Sequence, residues 1–325
     1  MGSRDYQVPG LFSVFVRILV TGGAGYLGSV LCERLLEAGH GVTALDSLAH
    51  GVPSLLHLCA RPGFEFVRGD ARDEALLRRS LRQADAVIPL AAVVGAAACD
   101  RDPLLARTLN VDAVRLLLRL RSPAQLVVLP NTNSGYGASS GEVFCTEETP
   151  LDPISLYGRT KVEAEQAVLA APNALTLRLA TVFGSSPRMR LDLLVNHFVH
   201  AAVTDGYLVL FEKDFKRNFI HVRDVADCFL HCLENGAQMA GRCYNAGLDS
   251  ANLSKGELAL KVKEQVPALH ITFSEIGSDP DKRNYVVSNQ RLREAGFEAK
   301  RSLEEGIAEL VRAYRLLPHG AFRNA

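Results

Sequence analysis

Hydrophobic residues in this chain alternate between short apolar runs and longer stretches of helical spacing. The runs at 18–20, 42–45, 64–67, 86–90, 126–129 and 175–179 predict buried strands. Between them, 29–38, 75–81, 103–120 and 161–170 carry apolar residues at the spacing of an amphipathic helix. Alternation of this sort specifies parallel strands joined by crossover helices, so the predicted class is α/β with a doubly wound parallel sheet. The rhythm changes after Gly184, where Ser185-Ser186-Pro187 interrupts the chain. Beyond it, helices mix with short strands and polar loops such as Gly277-Ser278-Asp279-Pro280. The organisation predicted is an extension over 1–15, a first domain over 16–184 and a smaller C-terminal domain over 185–325, with about 218–247 returning to the first. Leu303, Ile307, Leu310, Val311 and Tyr314 recur at helical spacing and read as core or as part of a subunit face.

Composition narrows what such a fold does. With 325 residues, 48% hydrophobic and 22% charged, the chain suits a soluble globular protein with a sizeable core. Lys plus Arg and Asp plus Glu both total 36, so no net field recruits nucleic acid or an anionic membrane. A charged ligand must instead be met by local residues. The seven cysteines at 32, 59, 99, 145, 228, 232 and 243 are odd in number and scattered, which indicates neither a disulfide framework nor a zinc site. The expected setting is reducing and cytoplasmic, with no metal. Residues 1–17 lack the features of a secretory signal, and no apolar run reaches the roughly 18 to 20 residues that span a bilayer.

The run Thr21-Gly22-Gly23-Ala24-Gly25-Tyr26-Leu27-Gly28 follows a predicted strand and opens a predicted helix. Glycines at 22, 25 and 28 permit a tight turn, close approach of a pyrophosphate and close helix packing, while the helix N-terminus supplies amides and positive dipole. Asp46 ends the second strand, where a carboxylate can accept hydrogen bonds from adenosine ribose hydroxyls. A 2'-phosphate would be repelled there, so the cofactor predicted is NAD rather than NADP. Asp70, after the third strand, is a candidate adenine contact or a surface turn carboxylate.

Far downstream, Tyr157 and Lys161 sit one helical turn apart, so a phenol and an ammonium can project into one site. A free tyrosine, with a pKa of about 10, is a poor base at pH 7, but a nearby cation favours the phenolate. With a nucleotide loop in the same chain, the pair reads as redox chemistry.

Taken together, TGGAGYLG at 21–28, GDARD at 69–73, Leu90-Ala91-Ala92, Tyr157-x-x-x-Lys161, RLATVFG at 178–184 and NFIHVRDVAD at 218–227 resemble the extended short-chain dehydrogenase/reductase family, in its nucleotide-sugar epimerase/dehydratase branch. The likeness covers nearly the whole chain. It implies a Rossmann domain binding NAD through Gly22, Gly25, Tyr26, Leu27, Gly28, Asp46, Asp70, Leu90, Ala91 and Ala92, with Tyr157 and Lys161 also on the cofactor. It further implies a third catalytic partner at Thr132, whose hydroxyl would orient the reacting sugar, with Tyr157 as general base and Lys161 holding the nicotinamide ribose.

The resemblance also separates activities. Related 4,6-dehydratases carry Asp-Glu directly after the catalytic Thr, and a uronic acid decarboxylase carries a Glu two residues before the Tyr of its Tyr-Gly motif; this chain has Asn133 and Ser134 there, poor acid/base groups at neutral pH. Epimerase-reductases of 4-keto-6-deoxy sugars place a Cys at the Ser134 position. Ser134 is therefore a catalytic candidate or a pocket-shaping residue, and Asn133 a substrate contact. On the substrate side, Arg217 matches the family's phosphate-binding arginine, Arg283 lies near a second one, and Asn196 falls where polar residues near the diphosphate are common. Thr181 replaces a family Asn that touches ligand. The expected activity is NAD-dependent epimerisation of a nucleotide sugar at its 4-position, in a homodimer. A dehydratase, a keto-sugar reductase or a non-catalytic NAD-sensing protein is the alternative.

Overall fold

The computed structural model describes residues 15–137, 144–274 and 284–317. Along the first half run β1 (Arg17–Thr21), α1 (Tyr26–Glu37), β2 (Gly41–Asp46), β3 (Phe64–Arg68), α2 (Glu74–Leu81) and β4 (Ala86–Pro89). Next come α3 (Ala96–Arg101), α4 (Pro103–Arg107), α5 (Ala113–Leu120), β5 (Leu126–Thr132), β6 (Phe144–Cys145), α6 (Leu156–Leu169) and β7 (Ala174–Leu179). The second half holds β8 (Thr181–Phe183), α7 (Leu194–Thr204), β9 (Tyr207–Phe211), β10 (Lys216–His221), α8 (Val222–Glu234), α9 (Gly236–Met239) and β11 (Cys243–Ala246). It closes with β12 (Asn252–Ser254), α10 (Lys255–Gln265), β13 (His270–Ser274), β14 (Val286–Val287), α11 (Gln290–Glu294) and α12 (Leu303–Leu316).

Seven parallel strands form the main sheet in the order β3-β2-β1-β4-β5-β7-β11. This is the doubly wound arrangement the apolar runs specify. Strands such as β5 and β7 are buried along most of their length because both faces are covered. On one side Val30, Leu31 and Leu35 of α1 pack with Val225, Phe229 and Cys232 of α8; on the other, Leu77 and Leu81 of α2, Leu117 of α5 and Ala164 and Val168 of α6 close the core. Connections leave β1 and β4 in opposite directions, so a crevice opens at their carboxyl ends.

The smaller unit surrounds a separate core of Phe183, Val195, Phe198, Val199, Leu258, Ile307 and Leu310. Leu303, Ile307, Leu310, Val311 and Tyr314 are all buried within it, so this stripe of α12 serves the chain's own core. Residues 218–247 contribute most of β10, then α8 against α1, then β11 beside β7 in the main sheet.

One predicted helix is broken. The stretch 103–120 divides into α4, a wide π-type turn at Thr108–Asp112, and α5. The turn directs Asn110 inward, where its Oδ1 accepts from Val93 N at 2.8 Å and its Nδ2 donates to Val93 O at 3.0 Å and Thr160 Oγ1 at 3.1 Å. Wide turns of this kind often mark functional positions. Here it ties the segment after β4 to α6.

Candidate active site

The glycine loop is built by close contact. Gly22 has a φ of +72°, and a Cβ on it would stand 2.6 Å from Ala91 N; one on Gly28 would stand 2.3 Å from Gly22 O. Thus Gly22 lets Leu90 and Ala91 lie against the loop, and Gly28 lets α1 start directly behind it. Gly25 is the N-cap and offers no side chain to the first-turn amides of Tyr26, Leu27 and Gly28. Those amides have no intrahelical carbonyl to bond and are open to an anion. Asp46 fixes the outer edge: Oδ2 accepts from Ala24 N at 2.9 Å and Oδ1 from Leu48 N at 2.8 Å. Each oxygen keeps a lone pair for a ribose hydroxyl. These features fit the adenosine diphosphate half of NAD.

Thr132 ends β5, and its Oγ1 accepts from Ser134 N at 3.1 Å and donates to Ser134 Oγ at 2.9 Å. The tight turn that follows, Asn133–Tyr136, packs against α6. Gly158 makes that approach possible, since a Cβ there would be 3.2 Å from Ser134 O. Tyr157 and Lys161 therefore lie in the first turns of α6, the helix packed against β5 and the turn after Thr132, with Ser155 capping the helix by accepting from Gly158 N.

Lys161 is almost fully buried, and its Nζ donates to Pro130 O at 2.6 Å. Burial pulls its pKa down from 10.5 to about 8, partly opposed by the Glu165 carboxylate one turn on. An ammonium has three N–H donors, and among the described residues only the Pro130 bond is present. Two donors thus remain for a ligand. Asn133 carries the same signature: it is 2% exposed, and neither side-chain atom has a hydrogen-bond partner among the described residues. Orphaned polar groups of this kind are costly unless a ligand completes them.

Other candidates are placed differently. Asp70 accepts a fork from Arg72, which lowers its pKa, and Arg72 continues to Thr108 Oγ1 at 3.0 Å. Asn196 is fully buried, with Oδ1 accepting from Gly184 N at 3.1 Å and Nδ2 donating to Arg190 O at 3.0 Å, so its amide holds the chain after β8. Arg217 lies buried on β10 and donates to Lys216 O at 3.0 Å; Thr181 lies on the adjacent β8, in register with Phe219. Arg283 is outside the described residues. Cys99 is buried against Val93 O, and desolvation pushes its thiol up to about 11, which argues against a nucleophile. A recess of about 510 Å³ lined by Arg78, Arg82, Asp85 and Gln125 sits where the strands begin and holds none of these residues.

Several structural partners escape sequence reasoning. Asn110 is one, detectable only as a polar residue in an apolar helical run. Arg188 and Arg190 are others, in a segment whose sequence says only that regular structure stops. Behind the site, Glu165 accepts from Asn131 Nδ2 at 2.6 Å, Thr176 Oγ1 at 3.0 Å and Arg178 Nη2 at 2.7 Å. Arg178 continues to Tyr136 Oη at 3.0 Å, which donates to Asn245 Oδ1 at 2.7 Å.

Comparison with known proteins finds relatives that span most of the chain. The sequence profile described as the NAD dependent epimerase/dehydratase family matches residues 18–247. A UDP-glucose 4-epimerase of Mycolicibacterium smegmatis is 30% identical over 92% of this chain and 99% of its own. A dTDP-glucose 4,6-dehydratase of Actinoplanes is 29% identical over 92% and 98%. Among solved structures, the UDP-glucose 4-epimerase of Thermotoga maritima with UDP-glucose superposes with a TM-score of 0.80 at 26% identity, covering 92% of this chain and 98% of that one.

Proposed function

The chain belongs to the NAD-dependent epimerase/dehydratase family, and from that premise we propose that it inverts the 4-position of a nucleotide sugar. Its cofactor is NAD. The observation that carries the choice among family activities is the sequence Thr132-Asn133-Ser134 beside Tyr157 and Lys161. It supplies a hydroxyl and an unpaired amide to the sugar and no carboxylic acid to expel water.

Bound NAD supplies a reversible hydride acceptor, so the reaction has no net redox change. The protein's own part is to position and move protons. The Thr132 hydroxyl accepts from or donates to the sugar oxygen and fixes its distance from Tyr157. Tyr157 Oη takes the proton from the 4-hydroxyl as the carbon is oxidised and returns it when the carbon is reduced. Lys161, buried and positive below about pH 8, favours the phenolate and holds the ribose diol. The Asn133 amide, without a partner among the described residues, can hydrogen-bond either a hydroxyl or a keto oxygen, which suits a sugar that turns over between the two half-reactions. Arg217, and Arg283 by its place in the sequence, are assigned to the substrate's diphosphate, and Thr181 on the small sheet to the substrate. In this reading the enzyme works in the cytoplasm as a homodimer, supported by seven unpaired cysteines and by Leu104, left 74% exposed on α4.

The test is incubation with a panel of nucleotide sugars followed by product NMR. A 4-epimer at constant mass and constant NADH absorbance is expected. Loss of water, or stoichiometric consumption of NADH, would replace the epimerase reading with a dehydratase or reductase. Binding of NAD with no product from any sugar, unchanged by Tyr157→Phe, would leave a sensor.

A further inference from the structure

The segment that follows β2 reaches back with both of its ends to one residue of the glycine loop. Gly22 to Gly25 form a turn closed by Gly25 N, which donates to Gly22 O at 3.0 Å. Within it, Ala24 N donates to Asp46 Oδ2 at 2.9 Å, and Ser54 Oγ donates to Ala24 O at 2.8 Å. Two consecutive peptide planes are thus held from outside. Asp46 fixes the plane between Gly23 and Ala24, while Ser54 fixes the plane between Ala24 and Gly25, whose N–H closes the turn.

The Ser54 hydroxyl is built into its place. Ser54 is 5% exposed and Ala24 6%, and among the described residues the Ala24 carbonyl accepts no other hydrogen bond. Leu55 and Leu58, just beyond, share a core with Val30 and Leu31 of α1, so the backbone at Ser54 is anchored independently of its side chain. At the other end, Leu48 takes a φ of +56° and turns its N–H onto Asp46 Oδ1 at 2.8 Å. A leucine keeps that left-handed conformation only where its surroundings impose it. Residues 46–54 therefore return on themselves around Ala24, and the Asp46 carboxylate is one link of the closed ring. Without the hydroxyl, a buried carbonyl is left unpaired and the plane between Ala24 and Gly25 is free to turn, drawing the Ala24 N–H off Asp46.

We propose that Ser54 is a positioning residue for the cofactor: through Ala24 it fixes the orientation in which Asp46 offers its remaining lone pairs to the adenosine ribose. Its one O–H is already given to Ala24, so it acts through the loop and not on the ligand. The proposal rests on Asp46 meeting the ribose hydroxyls and is independent of which sugar reaction follows.

The experiment uses cofactor-free wild-type, Ser54→Ala and Ser54→Cys proteins, titrated calorimetrically with NAD and with NAD lacking the adenosine 2'-hydroxyl. Wild type should prefer NAD about 10-fold. Ser54→Ala should weaken NAD about 5- to 30-fold and the deoxy cofactor much less, so that the preference collapses. Ser54→Cys keeps a weak donor of similar size and should show the same pattern at smaller amplitude; it carries the comparison if the alanine variant does not fold. A purely structural serine would instead weaken both cofactors equally. Equal loss of the two, or an unchanged NAD affinity with the preference intact, would overturn the proposal while leaving Asp46 on the ribose. A wild-type protein that does not distinguish the two cofactors would remove Asp46 from the ribose, and the role of Ser54 with it.

Discussion

Lys161 and Glu165 are one turn apart on α6, both are almost fully buried, and their surroundings are opposite. Glu165 receives hydrogen bonds from Asn131, Thr176 and both faces of the Arg178 fork. Among the described residues, Lys161 has the carbonyl of Pro130 alone, and Asn133 nearby has nothing. The same helix thus carries a saturated charge and a starved one. Saturation is what a fold needs from a buried ion, while spare donors and acceptors are what a ligand needs. The difference sorts structural polar groups from functional ones without reference to residue type.

The sharpest division should come from Tyr157→Phe. We expect turnover on the sugar identified by NMR to fall about 10³- to 10⁴-fold with the unfolding temperature unchanged. A drop in that temperature would place Tyr157 on the structural side. Next, Glu165→Gln leaves the Arg178 guanidinium buried and uncompensated, and urea unfolding should show a loss of about 3–5 kcal/mol. A loss under about 1 kcal/mol would mean that the network is dispensable.

Lys161→Met should act in the opposite direction on the cofactor-free protein. The folded pKa lies near 8 and the unfolded value at 10.5, so at pH 7 the charge opposes folding, and this penalty is relieved as pH rises from 8 to 10.5. Removing it should stabilise the protein by roughly 1–3 kcal/mol at pH 7, with the gain shrinking across that window while NAD binding weakens. Destabilisation at pH 7 would break the comparison. Glu309 is an intermediate case, partly exposed, accepting from Ser185 and lying 3.2 Å from His221 Nε2. These partners outweigh its desolvation and bring its pKa from 4.5 to about 2. Its contribution is present above pH 4.5 and fades as pH falls toward 2, so Glu309→Gln should cost about 1–2 kcal/mol at pH 7 and little near pH 2, read by acid titration of unfolding.

Much of the fold is legible in the chain because buried parallel strands leave a strong apolar signal, as at 126–129 and 175–179. The glycine loop is equally clear, since each contact that excludes a Cβ demands glycine. Tyr157 and Lys161 are marked by helical spacing. What sequence does not display is pairing over distance. Glu165 and Arg178 are 13 positions apart and meet only because α6 packs on β7. Arg188 stands after Ser185-Ser186-Pro187, residues that announce a break in regular structure and say nothing of where the chain goes next. Asn196, a candidate for ligand by position, bonds the backbone at Gly184 and Arg190, a use visible only once α7 is placed.

The path of the chain through β8, β10, α8 and β11 has a practical consequence for anyone cutting the gene. A fragment ending at Gly184 would include the glycine loop, Thr132, Tyr157 and Lys161, yet it would lack β11 and α8. Strand β7 would then present an unpaired edge, and the face of α1 bearing Val30, Leu31 and Leu35 would meet water. Such a fragment should aggregate when expressed, and the two units cannot be exchanged between relatives as cassettes joined at a single splice. Any chimaera must carry 218–247 along with the nucleotide-binding half.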